Sequence, residues 1–308
     1  MRGDAICLYS FNFIFLPKFF AENHLSDHDR PSSMSDKIEK VFLNQRAAQR
    51  IRLLIHKRLG IHIKEGKESL LRQRLWKLIQ SKEFKDLNEI CDHIENEKDS
   101  GLLLRLATLI STNHTYFFRE KAHFDYLQNH VLPGINLKSN KLRLWSAASS
   151  SGEEVYSLCM LLADVLGKNT FMERVAILGT DISQKVLQKA EYAHYLKENL
   201  HQIPANYRLN YIEPVSKDTF CISKELKQVC LFRRLNLNMG KYPFKQKFQI
   251  IFCRNVFIYF DMATQESICR EFARHAAPDG WLFISQTETL RNLNVPWNYI
   301  APGVYRRK

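Results

Sequence analysis

The chain has 308 residues, of which 45% are hydrophobic, 25% charged and 12% aromatic, so it can build one large or two ordinary globular cores without staples. Its seven cysteines are scattered, odd in number and free of any C-x-x-C pair, which argues against a disulfide framework or a cysteine zinc site and for reduced thiols in the cytoplasm. A net charge of +13 admits an acidic protein surface or a nucleic acid as partner and does not choose between them.

Residues 1–33 differ from the rest. Ala5 to Phe20 is apolar and aromatic but is interrupted by Pro17 and Lys18 and is short for a bilayer span. Arg2 precedes it, yet no small-residue cleavage site follows. The stretch reads as a dispensable extension ahead of Met34, with a membrane anchor as the alternative. His24 and His28 have helical spacing but no third partner, so no metal site is read there.

From residue 34 to 129 the pattern is helical. Ile38, Val41 and Phe42 share a face, as do Ile51, Leu54 and Ile55, and then Leu71, Leu75 and Leu78. Gly60, Gly66 and Gly101 fall where helices would end. From residue 130 onward strands alternate with helices. The predicted strands are Leu142–Ser149, Val175–Asp181, Cys230–Leu237, Phe248–Asn255, Gly280–Ser285 and a short V-Y-R-R edge strand near the end. Helices are predicted over Glu153–Leu166, Ser183–Ala193 and Thr264–Ala277. Such alternation implies a parallel sheet covered on both faces, with residues 196–229 as an inserted lobe.

Ligands of an open parallel sheet bind beyond the C-terminal strand ends. The first strand runs into small residues, Ala147 to Gly152, that let backbone approach a ligand closely. Glu153 and Glu154 follow at the helix start, where they would repel a phosphate but suit a ligand bearing an ammonium and a sulfonium. Asp181 ends the second strand, either to bond ribose hydroxyls or to cap the next helix. Asn236 and Leu237 end the third. Arg254 and Asn255 end the fourth, and an arginine in so apolar a run needs a partner, for which a nearby carboxylate would serve. Outside the sheet, Thr112–Glu120 (TNHTYFFRE) interleaves Asn113, Thr115 and Arg119 with Phe117 and Phe118, as either a site wall or plain core.

Together TNHTYFFRE, WSAASSSGEEVYSL, GTDIS, RLNL and FCRNVFIYFD resemble the signature blocks of the CheR-type chemotaxis receptor methyltransferases, from about Ser35 to Tyr305. The resemblance implies an α/β chain: a Rossmann-like, class I S-adenosylmethionine methyltransferase domain preceded by a small all-helical domain. It implies transfer of a methyl group from S-adenosyl-L-methionine to glutamate carboxylates of methyl-accepting chemotaxis receptors. The positions matching cofactor contacts are Asn113, Thr115, Arg119, Glu153, Asp181, Asn236, Leu237, Arg254 and Asn255, and those matching the methyl-transfer centre are Arg119 and Tyr259. A basic helix of the small domain, with Lys67, Arg72, Arg74 and Lys77, would face the acidic receptor helices; the plain alternative is a solvated face. The inserted lobe matches the family's small β-subdomain.

Three departures are visible. Ser151 stands for a usual threonine, Ala193 for a glycine, and Ser285-Gln286-Thr287-Glu288 replaces G-H-S-E, keeping only its glutamate. The expected protein is cytoplasmic and monomeric, without nucleic-acid binding, stable membrane insertion or a metal. The alternatives are a cofactor-binding sensor or adaptor that has lost transfer, and a methyltransferase of RNA or another substrate.

Overall fold

The computed structural model describes residues 45–63, 68–96, 101–110, 114–137 and 141–308. The expectations for residues 1–33, Lys67 and Asn113 lie outside them, as do the side chains of Arg72, Arg74 and Lys77.

Among the described residues four helices come first: α1 (Gln45–Leu59), α2 (Glu68–Gln80), α3 (Leu87–Asn96) and α4 (Gly101–Ile110). Ile51, Ile55 and Leu59 recur at four-residue spacing on α1 and are buried against Leu71, Leu75, Ile90, Cys91 and Leu106. Each such side chain contributes roughly 1.5–3 kcal/mol by leaving water. Leu54, grouped with them on periodicity, is only half-buried. Gly60 ends α1 with φ +74°, and its N–H donates to His56 O at 2.8 Å. This left-handed stop suits glycine.

Next comes α5 (Lys121–Tyr126), continued by a π-helical turn at Leu127–Val131. Phe117, Phe124, Leu127 and Val131 bury themselves in the core of the sheet, not in that of the helices. Phe117, Phe124 and Leu127 lie within the stretch 34–129 expected as helical, yet pack with the sheet.

A seven-stranded sheet forms the body. In chain order it contains β1 (Leu142–Ser146), β2 (Val175–Asp181), then β6 (Cys230–Arg234), β7 (Phe248–Phe252), β8 (Ala276–Phe283), β9 (Trp297–Ala301) and β10 (Val304–Arg307). Its spatial order is β6-β2-β1-β7-β8-β10-β9, parallel from β6 to β8 and antiparallel at β10 and β9. The remaining three strands, β3 (His194–Leu196), β4 (Ile212–Pro214) and β5 (Thr219–Ile222), make a separate antiparallel sheet within the inserted lobe.

Helices α6 (Glu153–Leu166), α7 (Lys168–Arg174), α8 (Gln184–Tyr192), α9 (Ala205–Tyr211), α10 (Lys224–Gln228) and α11 (Met262–His275) complete the chain. Ten of the fourteen residues of α6 are buried, which suits a helix enclosed between a sheet and a lobe. Gly152 starts it with φ +96°, and a Cβ there would stand 2.9 Å from that of Ala190. The helices α6 and α8 can approach only because that atom is missing.

Candidate active site

The chain leaves β1 toward β2 and β6, then returns past β1 to β7. Strand order thus reverses between β1 and β7, and a crevice opens beyond their carboxyl ends. A cavity of about 400 Å³ lies there. That volume is within the range of small-molecule sites, roughly 300–1,000 Å³.

Its walls come from distant parts of the sequence. Ala147, Ala148 and Ser150 follow β1, Asp181 and Ile182 end β2, Leu235, Asn236 and Leu237 follow β6, and Arg254, Asn255 and Val256 follow β7. The segment before α5 adds His114, Thr115, Tyr116 and Arg119. Leu59 and Ile61 reach in from the helical domain, and Ile258, Tyr259 and Phe260 close the side toward it. Of the residues expected at the cofactor, the structure brings together Thr115, Arg119, Asp181, Asn236, Leu237, Arg254 and Asn255, together with Tyr259.

Glu153 does not line the cavity. It is the first residue of α6 and is buried, with Ser151 Oγ donating to its carboxylate at 2.8 and 3.0 Å. Burial pushes its carboxyl above the usual range. One residue along the helix turns the next side chain to another face, and Glu154 lines the cavity instead. Spacing alone could not separate two adjacent glutamates.

Asp181 does not cap the next helix, whose N-cap position is Ser183. Its two oxygens accept from Ser183 N at 2.9 Å and Ser150 N at 3.0 Å, fixing the turn and the small-residue loop. Burial raises its pKa, and these backbone donors oppose the rise. It nevertheless stands at the cavity surface.

Arg254 has found its partners. Its side chain is 2% exposed and pairs with Glu154 at 3.1 Å and Glu120 at 3.3 Å, and it also donates to Arg119 O. Its Nε is buried with no hydrogen-bond partner among the described residues. Burial works against the Glu120 carboxylate, but the Arg254 charge and hydrogen bonds from Ser285, Gln286 and Asn255 outweigh it and hold the pKa low. Glu288 accepts from Ser285 N at 2.9 Å and Asn255 N at 3.2 Å. The altered segment 285–288 therefore orders the floor behind Arg254, and its retained glutamate holds the backbone of Asn255, whose side chain bonds Glu120. Neither Glu120 nor Glu288 was singled out as a site residue. The signal for Glu120 was available, since it ends the TNHTYFFRE block.

Backbone strain gathers here. Phe118, Glu120, Ser150 and Asn255 all have φ between 48° and 58°, although none is glycine. Such conformations persist where surrounding hydrogen bonds over-determine them.

The roof is held more lightly. Asn236 Nδ2 donates to Arg58 O at 3.2 Å, and His62 N donates to Tyr259 O at 2.7 Å. Ile61 and Phe260 form an isolated antiparallel bridge. A Cβ on Gly60 would stand 2.8 Å from Asn238 Cγ, so the strap presses closely on the loop after β6. Arg119 stands at the rim over the Tyr116 ring, with Nη1 donating to His114 O at 2.8 Å.

The model of the CheR methyltransferase SAM-binding domain matches residues 113–301, and that of the CheR all-alpha domain matches residues 46–109. The chain belongs to the CheR methyltransferase family. It is 37% identical over 259 residues to the chemotaxis protein methyltransferase of Borreliella burgdorferi, covering 82% of this chain and 91% of that one. It is 34% identical over 270 residues to that of Escherichia coli, covering 87% and 92%. A probable chemotaxis protein methyltransferase of Rhizobium etli is 34% identical over 241 residues, covering 76% and 89%.

The cavity suits S-adenosylmethionine. The carboxylates of Asp181 and Glu154 face it, apolar walls come from Leu59, Ile61, Leu235 and Ile258, and the buried Nε of Arg254 awaits an acceptor. Small residues after β1 leave backbone within reach, and two carboxylates tolerate a cation.

Proposed function

We infer that this chain esterifies glutamate side chains of chemotaxis receptors, with S-adenosylmethionine as methyl donor. The observation that carries the reading is the convergence of the TNHTYFFRE, G-E-E, GTD, NL and RN segments on one cavity at the strand-order reversal.

Thr115, Arg119, Asp181, Asn236, Leu237, Arg254 and Asn255 would hold the donor, with Glu154 presenting the carboxylate first assigned to Glu153. When bound, the donor supplies an electrophilic methyl on a sulfonium. The acceptor glutamate has an ordinary pKa near ~4.3 and is ionised at neutral pH, so the protein need not remove a proton from it. Its work is to orient and to exclude water. Arg119 at the rim attracts and aims the incoming carboxylate. Tyr259, on the wall beside the helical strap, bounds the path by which that carboxylate enters. Leu59, Ile61, Ile258 and Phe260 keep the approach dry. Orientation of this kind supplies roughly 7–11 kcal/mol in favourable systems.

Helix α2 carries Arg72, Arg74 and Lys77 and would face the acidic receptor helices. The net charge of +13 favours such an encounter, and favours it more at low salt. Acting on those helices, the protein would work in the cytoplasm, as a monomer. No helix among the described residues is long and apolar enough to cross a membrane.

The test incubates the protein with methyl-labelled S-adenosylmethionine and receptor-containing membranes, and counts the methanol released by mild alkali. Alkali-labile label on a receptor band is the expected result. Label on RNA, or donor binding without transfer, would replace the reading. Arg119→Ala and Tyr259→Phe should each lower the transfer rate, by up to about a hundredfold, because small misplacements of reacting groups cost that much. Unchanged rates in both would remove their assignment.

A further inference from the structure

Three side chains converge outside the cavity, where the helical strap meets the sheet domain. His56 lies in the last turn of α1, His62 lies two residues beyond Gly60, and Asp261 caps the N-terminus of α11. One ligand atom from each lies within 4.8 Å of the other two. His56 Nε2 is 2.6 Å from Asp261 Oδ2. The imidazole rings stand 5.9 Å apart at 78°.

We propose that His56, His62 and Asp261 form a binding site for a late divalent transition metal such as Zn²⁺, which clamps the helical strap to the sheet domain. Two imidazoles and one carboxylate match zinc chemistry and not that of Ca²⁺ or Mg²⁺, which take oxygen ligands. Zinc–ligand bonds of about 2.0–2.2 Å place tetrahedral ligand atoms about 3.3 Å apart. The His56–Asp261 pair would open by under ~1 Å, and His62, which is exposed, would close by at most ~1.5 Å to reach that spacing. The fourth position would be taken by water.

The ligands are held as a metal site requires. Asp261 Oδ1 accepts from Thr264 N at 2.8 Å, which aims Oδ2 at the histidines. His62 is fixed through its backbone, whose N–H donates to Tyr259 O at 2.7 Å. None of the three lines the cavity, but Leu59, Ile61, Tyr259 and Phe260, their chain neighbours, do. The metal is therefore not placed at the reacting atoms. It would fix the distance between the roof and the wall of the cavity. Lys57 and Arg58 stand beside His56 in the sequence and add positive charge, so micromolar affinity is expected, not the tighter binding of a fully enclosed site.

The test does not depend on methyl transfer. The full chain, stripped with chelator, is titrated with ZnCl₂ in a calorimeter at pH 7.5. One ion per chain at micromolar Kd is expected. His56→Ala, His62→Ala and Asp261→Asn should each weaken it at least tenfold; the last keeps an oxygen to cap α11, so folding is spared. Saturating zinc should raise the Tm of the unaltered chain by roughly 2–8 °C and leave His62→Ala unmoved. The double variant His24→Ala/His28→Ala, in the N-terminal segment, should bind as tightly as the parent. Affinity lost in that double variant but kept in His62→Ala would overturn the proposal, as would the absence of binding below millimolar zinc.

Discussion

The floor and the roof of the cavity are built on different terms. In the floor Arg254 lies between Glu120 and Glu154, Glu120 accepts from Ser285 and Gln286, and Glu288 accepts from Asn255 N. Among the described residues the roof is tied down by Asn236 to Arg58 O, His62 N to Tyr259 O, the His56–Asp261 contact, one β-bridge and the close packing of Gly60 on Asn238. The floor is preorganised, and the roof can be displaced without unmaking the sheet. A chain that must admit one ligand and then meet a second, much larger one needs both properties.

The largest effect should come from breaking the floor. Arg254→Ala leaves two half-buried carboxylates without their buried cation, at a cost of about 3 kcal/mol, the low end for breaking such pairs. Urea unfolding should show the loss, and donor binding by calorimetry should vanish with it. An intact midpoint would mean that the floor is not held by charge.

His123, buried behind the same network, should give the next largest. Burial, and after it the Arg254 charge, pushes its pKa down to about 4. The imidazole approaches Glu120 at 3.3 Å but stays neutral. The unfolded chain takes up this proton near pH 6.5, so between 6.5 and 4 acid favours unfolding. Stability should fall by about 2 kcal/mol from pH 7 to 5 through this group. His123→Gln, whose amide can still donate to Pro302 O, should flatten that slope. An unchanged slope would move the acid sensitivity elsewhere.

Gly60→Ala tests the roof. It forces a side chain to φ +74° and into Asn238, at a cost of about 1–2 kcal/mol. Donor binding should weaken by about tenfold, with the near-ultraviolet signal of the sheet domain's tryptophans unchanged. Loss of that signal would show that roof and floor form one cooperative unit.

Ala193→Gly should matter least. Ala193 ends α8 in the left-handed region at φ 55°. Glycine relieves strain of roughly 1 kcal/mol and loses a buried methyl worth about 0.8 kcal/mol, leaving a net change within about 0.5 kcal/mol. A clear gain in Tm would mark this strain as uncompensated, unlike that around the cavity.

The sheet was largely legible in the sequence because buried parallel strands are continuous apolar runs, and Val175–Asp181 and the V-Y-R-R strand were bounded correctly. The first, third and fourth predicted strands each run three residues too far, because Ala147, Ser149, Leu235, Leu237, Cys253 and Arg254 are buried loop residues beyond the last ladder pairs. Strand β9 gave no signal, since only its first residue, Trp297, is buried. Motif-borne site residues were legible. Pairings were not: Glu120 with Arg254 is separated by more than a hundred residues, and the His56, His62 and Asp261 group by some two hundred, at spacings no local pattern announces.

The same separation governs how the molecule assembles. The crevice exists only once β1 has paired with β7, bringing Ser146 beside Phe252, 106 residues further along the chain. A partly folded species with β1, β2 and β6 in place lacks one wall of the cavity. Long-range parallel pairing of this kind is slow to form. The methyl donor therefore has affinity only for molecules that have finished folding, and its presence in excess withdraws them from the folding equilibrium. A ligand recruited for chemistry doubles as the check that the last strands have closed.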